Sequence, residues 1–244
     1  MLTRETMLAV MCSALAFGCG TGQTPAEERQ EIIDNLVEAG FRAEDITVAE
    51  GKVYLEGDIH VTLEASREVV EPAGPGPEHY RKTNLVSTAI TRICLNPTSS
   101  FNSYTRLSQG LDLAIGNYNA LPLSFDFARG PTTGCGANIS VRTMSGTGGS
   151  AGFPSGGLPY PSISIGTGLN AYSVDVNEHV ITHELGHTLG ICHTDATGGG
   201  TGVGCILILG TPTTDPGSVF NATFASTASG EFSSGDITAL NILY

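Results

Sequence analysis

Basic residues are scarce in this chain. Lys and Arg number 11 against 24 Asp and Glu in 244 residues, a formal net charge of −13. A nucleic-acid partner needs a basic surface, so the balance argues against one. The apolar run near the start, Met7 to Phe17, is too short to cross a bilayer as a helix. There are six cysteines, with none between Cys19 and Cys94. No thiol from that long stretch is therefore available to ligate a metal ion. Methionine is also sparse: Met1, Met7, Met11 and Met144 are the four, so none lies in the last hundred residues.

What is present begins with export. Met7 to Phe17 follows Arg4 and has the length of a signal-peptide core. Leu15-Ala16-Phe17-Gly18-Cys19 resembles a bacterial lipobox, with Ala16 and Phe17 departing from the usual residues and Cys19 as the candidate for lipidation. Residues 1–19 thus read as a signal peptide, and the chain as a bacterial outer-membrane lipoprotein or a secreted protein. Contact with a membrane is expected only through an N-terminal lipid. Four cysteines remain, Cys94, Cys135, Cys192 and Cys205, and an even count in an exported chain favours disulfides. Three pairings are open. Cys94–Cys135 with Cys192–Cys205 is favoured, because the second bridge would staple a loop that carries Gly198-Gly199-Gly200.

Hydrophobic content is 40%, enough for a core, and the length suits one domain plus a smaller segment. Charge divides the chain unevenly. Residues 24–79 hold fourteen acidic against four basic side chains, and residues 80–244 nine against six. That asymmetry predicts two functional units. In the first, Pro25 to Ala39 has helical periodicity with Gly40 as its stop. Ile46–Val48 and Lys52–Leu55 read as strands around Glu50-Gly51, Asp58–Leu63 as a third strand, and Glu64–Val70 as a second helix. Some fifty residues are few for an independent fold. Residues 20–71 are therefore expected to be a propeptide packed on the rest, and the Pro/Gly-rich residues 72–79 a linker where processing occurs.

Residues 80–244 read as the main domain. A strand is expected at Leu85–Leu95, a helix at Tyr104–Tyr118, and strands at Leu123–Ala128, Ile139–Thr143 and Ser162–Ile165. Ser145–Gly157 reads as a Gly/Ser-rich loop. Gly146-Thr147-Gly148-Gly149 lacks the Lys and context of a phosphate loop. A last helix is expected from Ser233, with Asp236 three on as in a capping box, through Leu243.

The chemistry concentrates in His183-Glu184-Leu185-Gly186-His187-Thr188-Leu189-Gly190-Ile191-Cys192-His193. His183 and His187 are four apart, so a helix sets them on one face within reach of one ion. Apolar Val176, Val180, Ile181, Leu185 and Leu189 support a helix over Ser173–Leu189, with Asp175 as its cap and Glu178 three residues on. Gly190 can take positive φ, end that helix and turn His193 back toward the same ion. Three His with a fourth position left open for water is the catalytic zinc pattern. Glu184 stands where a general base for that water belongs. His179, one turn earlier, reads as a neighbour of the site or a surface residue. Cys192 is weighed as a ligand and set aside, since three are already supplied.

This H-E-x-x-H-x-x-G-x-x-H pattern is identified as that of the metzincins. The chain resembles the bacterial dual-action HEIGH metallopeptidases, whose motif here reads His183-Glu184-Leu185-Gly186-His187. Flanking stretches carry the likeness further: Glu31 to Leu36, Leu63 to Glu68, Ala151 to Tyr160 and Phe232 to Leu240. The resemblance implies an α/β (α+β) catalytic domain of zincin type. It would have a mixed twisted sheet, an active-site helix and a C-terminal helix, preceded by a small α-β propeptide. It implies one catalytic zinc on His183, His187 and His193, Glu184 as the catalytic residue, and a cleft strand bordered by Gly152–Ile165 that pairs with extended peptide. It also implies a Met-turn beneath the zinc. With no Met after His193, Ser218-Val219-Phe220-Asn221 is the best counterpart, and Phe220 takes the Met position. No Tyr follows Phe220 until Tyr244, which leaves the extra Tyr ligand of some relatives without a counterpart.

The functional expectation is a zinc-dependent endopeptidase made as a zymogen, acting on proteins or peptides and held silent by its own propeptide. A cysteine switch is excluded, so a carboxylate or imidazole is expected at the open zinc position, with Asp58 and His60 as candidates. The alternative is a catalytically weak or inactive zinc-containing lipoprotein that binds peptides, which Phe220 keeps open. Hydrolysis of cell-wall peptides is a third reading. Calcium is left open by Asp195, Asp215 and the glycine-rich loop, without an EF-hand or nonapeptide repeat to support it.

Overall fold

The computed structural model describes residues 23–69, 80–130, 133–195, 205–212 and 215–244. The leader, Cys19 and the linker at 72–79 lie outside them. Helix α1 (Pro25–Glu38) starts where Thr24 and Glu27 form a reciprocal capping box and Pro25 fits the first turn. Ile32 and Leu36 are its buried face, and Gly40 at φ 92° ends it. Strands β1 (Ile46–Ala49), β2 (Lys52–Leu55) and β3 (Ile59–Val61) form an antiparallel meander. Its two turns are Glu50-Gly51 and Glu56-Gly57, all four residues at positive φ. Helix α2 (Leu63–Val69) follows directly, so the expected third strand is shorter than Asp58–Leu63.

The second part begins with β4 (Tyr80–Arg81) and the strand β5 (Arg92–Pro97). Leu85–Thr91 is irregular rather than the first half of a strand. There Val86 N–H donates to Tyr244 Oη and Ser87 N–H to Gly157 O, so this backbone is satisfied outside the sheet. Helices α3 (Ser99–Ser103) and α4 (Thr105–Asn119) lead to β6 (Asp126–Arg129), β7 (Ala137–Met144), β8 (Gly149–Gly152) and β9 (Ser162–Gly166). β8 lies inside the stretch expected to be loop. It pairs antiparallel with β9 by main-chain bonds, which need no β-forming side chains. A 3₁₀ turn (Thr167–Ala171) precedes helix α5 (Val174–Thr188), and β10 (Ile206–Leu207) and α6 (Ser234–Leu243) complete the order.

The main sheet has eight strands in the order β1-β2-β3-β8-β9-β7-β5-β6, a mixed α/β arrangement. β5, β6, β7 and β9 run parallel, and β8 reverses. β3 then pairs parallel with β8, Ile59 opposite Ala151 and His60 opposite Gly152. The acidic N-terminal unit thus continues the sheet of the second part instead of standing apart from it. β10 pairs with β4 in a separate two-stranded ribbon.

Two cores result. The larger packs Ile93, Leu95, Ile139, Val141, Ile163 and Ile165 of the parallel strands with residues of α4 and α5 such as Leu111, Tyr118, Val180 and Ile181. The smaller joins Ile32, Leu36, Val53, Leu55, Ile59 and Val61 to Phe153 and Cys192 of the second part. A fully buried aliphatic side chain contributes about 1.5–3 kcal/mol over an exposed one. The N-terminal unit therefore has a small core of its own, which Phe153 and Cys192 of the second part complete. Lys82 sits in this seam, buried, with Nζ 4.0 Å from the Phe41 ring centroid and 4.6 Å from that of Phe153. Burial depresses its pKa, against the pull of Glu56. Both favoured disulfides are present, Cys94–Cys135 and Cys192–Cys205. Cys192 is thereby committed to a bridge rather than to a metal. Among the described residues no helix is long and apolar enough to cross a membrane.

Candidate metal centre

Helix α5 is capped by Ser173, whose Oγ accepts from Val176 N–H at 3.3 Å; this replaces the expected cap at Asp175. Ser173 stands one position before the first helical residue, where a side-chain oxygen can reach back to an orphan N–H. Glu178 instead reaches Asn117 Nδ2 at 2.7 Å. The helix runs buried through the molecule to Thr188, and Gly190 at φ 98° turns the chain back. Ile191 N–H then donates to Gly186 O, and His193 faces the helix.

The Nε2 atoms of His183, His187 and His193 are 2.9–3.2 Å apart. His183 Nδ1–H donates to Val219 O at 2.9 Å and His187 Nδ1–H to Ile191 O at 2.8 Å. With Nδ1 protonated, the Nε2 lone pairs of these two rings point to one spot. Ligand nitrogens about 2.0–2.1 Å from a tetrahedral zinc lie roughly 3.3 Å apart, so the spacing suits that ion.

Asp58 completes the cluster. Its Oδ2 is 3.3 Å from His193 Nε2 and 3.6 Å from His183 Nε2, and the four ligand atoms lie within 4.8 Å of one another. Asp58 Oδ1 is buried without a hydrogen-bond partner, as is Glu184 Oε2. Unpaired buried carboxylate oxygens are costly, and a cation in their midst removes that cost. The donor set and the orphaned oxygens therefore fit a divalent metal. Burial would raise the Asp58 carboxyl, but bonds to His183 and His193 hold it well below the usual carboxylate range. Burial, with the Asp58 charge beside it, drives Glu184 the other way, well above that range.

Of the two residues weighed for the open position, the structure brings Asp58 to the cluster and not His60. His60 Nδ1 contacts Tyr160 Oη, and burial lowers its pKa to about 4. Sequence reasoning missed Glu56, whose Oε2 lies 2.9 Å from His193 Nδ1. Its spacing of two from Asp58 in a hairpin turn was the available signal. Gly149 was missed as well. A Cβ there would stand 2.2 Å from Glu184 Oε1, so β8 presses its backbone against the candidate base.

The floor is Phe220, fully buried, its ring centroid 6.5 Å from that of His183. The turn around it is pinned from α6. Asp236 Oδ1 accepts from Ser218 Oγ at 2.6 Å, and Asp236 Oδ2 from Val219 N–H at 3.0 Å and Ser233 N–H at 2.9 Å. Asp195 and Asp215 serve the same region as turn acceptors, for Ala222 N–H and for Gly217 N–H and Ser233 Oγ. Beside the histidines is a cavity of about 130 Å³ whose lining includes Val180, Glu184, Asn221, Phe224 and His179. His179 Nδ1–H donates to Ser229 O at 2.7 Å, and its Nε2 is unpartnered.

Among curated proteins none matches the chain. The solved structure of myroilysin is similar at TM-score 0.43 and 12% identity, over 66% of this chain and 95% of that one. A family profile described as dual-action HEIGH metallo-peptidase matches residues 53–244, a span that includes β3, Asp58, all three histidines and α6. The chain belongs to the dual-action HEIGH metallo-peptidase family.

Proposed function

We propose that the protein is a zinc-dependent endopeptidase exported as a zymogen, and that this structure is its latent form. His183, His187 and His193 would hold the ion, with Asp58 as a fourth donor while the N-terminal unit is docked. Bound zinc polarises a carbonyl and acidifies a water. Glu184 Oε2, buried and unpaired, is placed to take a proton from the attacking water and pass it to the leaving amine.

The observation that carries the latency is double. Asp58 stands among the three Nε2 atoms, and β3 occupies the β8 edge where an extended peptide would add as a strand. Substrate and N-terminal unit therefore compete for the same edge and the same metal position. Residues 20–71 act as the propeptide in this reading, and the linker at 72–79 is where it is cut. The two disulfides support an oxidising compartment, and a lipid on Cys19 or simple secretion completes the export reading. The substrates are proteins or peptides.

A second reading has one observation in its favour: Phe220 replaces the flexible Met expected beneath the ions of such sites. It is a zinc-containing protein that grips peptides without cutting them. Intact mass followed over time on the exported chain with zinc, with casein added, separates the two. Cuts in the linker and casein fragments that vanish in Glu184→Ala or with a chelator support the endopeptidase. Retained zinc with no casein hydrolysis, even after a glutamate-specific protease opens the linker at Glu78 and is then inhibited, supports the binding protein.

A further inference from the structure

The three histidines differ in what holds the second ring nitrogen. His183 and His187 hand Nδ1–H to Val219 O and Ile191 O, carbonyls of the second part itself. His193 Nδ1 is buried and makes no aligned hydrogen bond; the carboxylate beside it comes from elsewhere, Glu56 Oε2 at an ion-pair distance of 2.9 Å, on the turn between β2 and β3. His193 is fully enclosed, and the Glu56 side chain is 18% exposed. One turn thus places two carboxylates on two edges of a single imidazole, Asp58 at Nε2 and Glu56 at Nδ1.

We infer that Glu56 is a positioning residue for the metal, and that the N-terminal unit is a metal-retention clamp as well as a cover. The inference rests on reading His183, His187 and His193 as ligands of a divalent cation. An imidazole ligates through one nitrogen when the other carries the proton, and a carboxylate on that proton fixes the ring and strengthens the ligating lone pair. Glu56, 2.9 Å from Nδ1, is placed to do this for His193 only while β2 and β3 are docked. Once the unit leaves, His193 alone loses its partner, and Asp58 leaves with it. The intact chain therefore holds the ion more tightly than a chain whose N-terminal unit has left.

The backbone of the turn bears on the same point. Glu56 sits at φ 53°, a left-handed conformation that Gly or Asn adopts with less strain, and Gly57 follows at φ 99°. Glu50-Gly51 makes a comparable turn at φ 51° and 77°, with Glu50 exposed. The turn itself makes no use of a carboxylate reaching inward, so Glu50 is a matched control for Glu56.

The test uses the intact exported chain and zinc itself. Affinity is measured by competition with a chromophoric chelator, and release by a chelator chase, for the unmodified protein, Glu56→Ala, Glu56→Gln and Glu50→Ala. Visible absorption of the cobalt-substituted proteins reports the ligand field at His193, and melting of the metal-free forms reports folding. The expected result is a ten- to hundred-fold weaker zinc affinity and faster release in Glu56→Ala. Glu56→Gln, which keeps an acceptor for Nδ1–H, recovers part of the loss, and Glu50→Ala matches the unmodified protein. A folded Glu56→Ala with unchanged affinity, release and cobalt spectrum overturns the inference. So does an equal loss in Glu50→Ala, which would assign the effect to the turn. A chain that takes up no zinc overturns the ligand reading and this inference together. A chain that holds zinc with the expected Glu56 dependence, yet hydrolyses no peptide even after the linker is cut and the N-terminal unit removed, counts against the peptidase reading alone.

Discussion

The ring of Phe220 lies directly against Gly186, so closely that a Cβ on Gly186 would stand 2.1 Å from Phe220 Cε1. Gly186 is one of the two residues between Glu184 and His187, and Phe220 is the floor beneath His183. The bulk of the aromatic floor and the absence of a side chain in the helix are therefore one packing solution.

That contact predicts the effect of Gly186→Ala. The added methyl has no room, and overpacking of this kind typically costs about 1–3 kcal/mol. Phe220→Met in the same chain supplies a flexible side chain that can move aside and recovers much of the loss. Denaturation midpoints of the two single variants and the double variant check this. Additive losses would show that the two residues are not coupled.

Asp58→Ala leaves the metal position open while β3 still covers β8. Hydrolysis of a short fluorogenic peptide by the uncut chain is expected to rise roughly ten-fold or more, as the competent state gains population. Adding Glu184→Ala to that chain is expected to lower the rate again by about 10²–10⁴-fold. An uncut Asp58→Ala chain that is no more active than its parent would remove Asp58 from the account of latency.

Glu178 gives a pH dependence. Burial raises its pKa, the Asn117 bond opposes this, and Glu231 and Asp175 add to the rise. A carboxyl whose folded pKa exceeds its unfolded value contributes stability at low pH that is lost as pH climbs through the folded value. Glu178→Gln keeps an acceptor for Asn117 and has no charge to lose stability by. It is expected to melt about 1–3 °C above the parent at pH 7–8, with the gap closing below about pH 4. Melting curves across that range decide it, and a parent that melts higher at pH 8 contradicts the prediction.

The Cys192–Cys205 bridge closes a short loop, with a sequence separation of 13 and Cα atoms 6.6 Å apart, immediately beside His193. Replacing both cysteines with serine is expected to cost about 2–3 kcal/mol in denaturant unfolding. It is also expected to speed zinc release, because His193 follows Cys192 directly. Replacing Cys94 and Cys135 lowers stability without changing zinc release. Equal release rates in the two pairs of variants would sever the link between the bridge and the site.

Much of this protein is local in origin and was legible from its residues. Four-residue spacing places His183 and His187 on one helical face, Gly190 turns the chain, and Ser233 with Asp236 starts the last helix, all within a few peptide units. The strand at Gly149–Gly152 was not legible, since Gly and Ser carry no strand signal and the pairing is made by backbone. The cap at Ser173 was misplaced by two residues, because Asp175 is an equally good cap by type and only helix phasing chooses between them.

Local relations along the chain already bring three imidazoles and a carboxylate to one point, because His183, Glu184 and His187 follow the helical period and Gly190 turns His193 back within three residues. What closes that point is settled by long-range pairing: the order of strands sets β3 against β8 and brings Asp58 and Glu56 to His193. Such contacts join residues remote in the chain, and no local period encodes which edge a strand will choose.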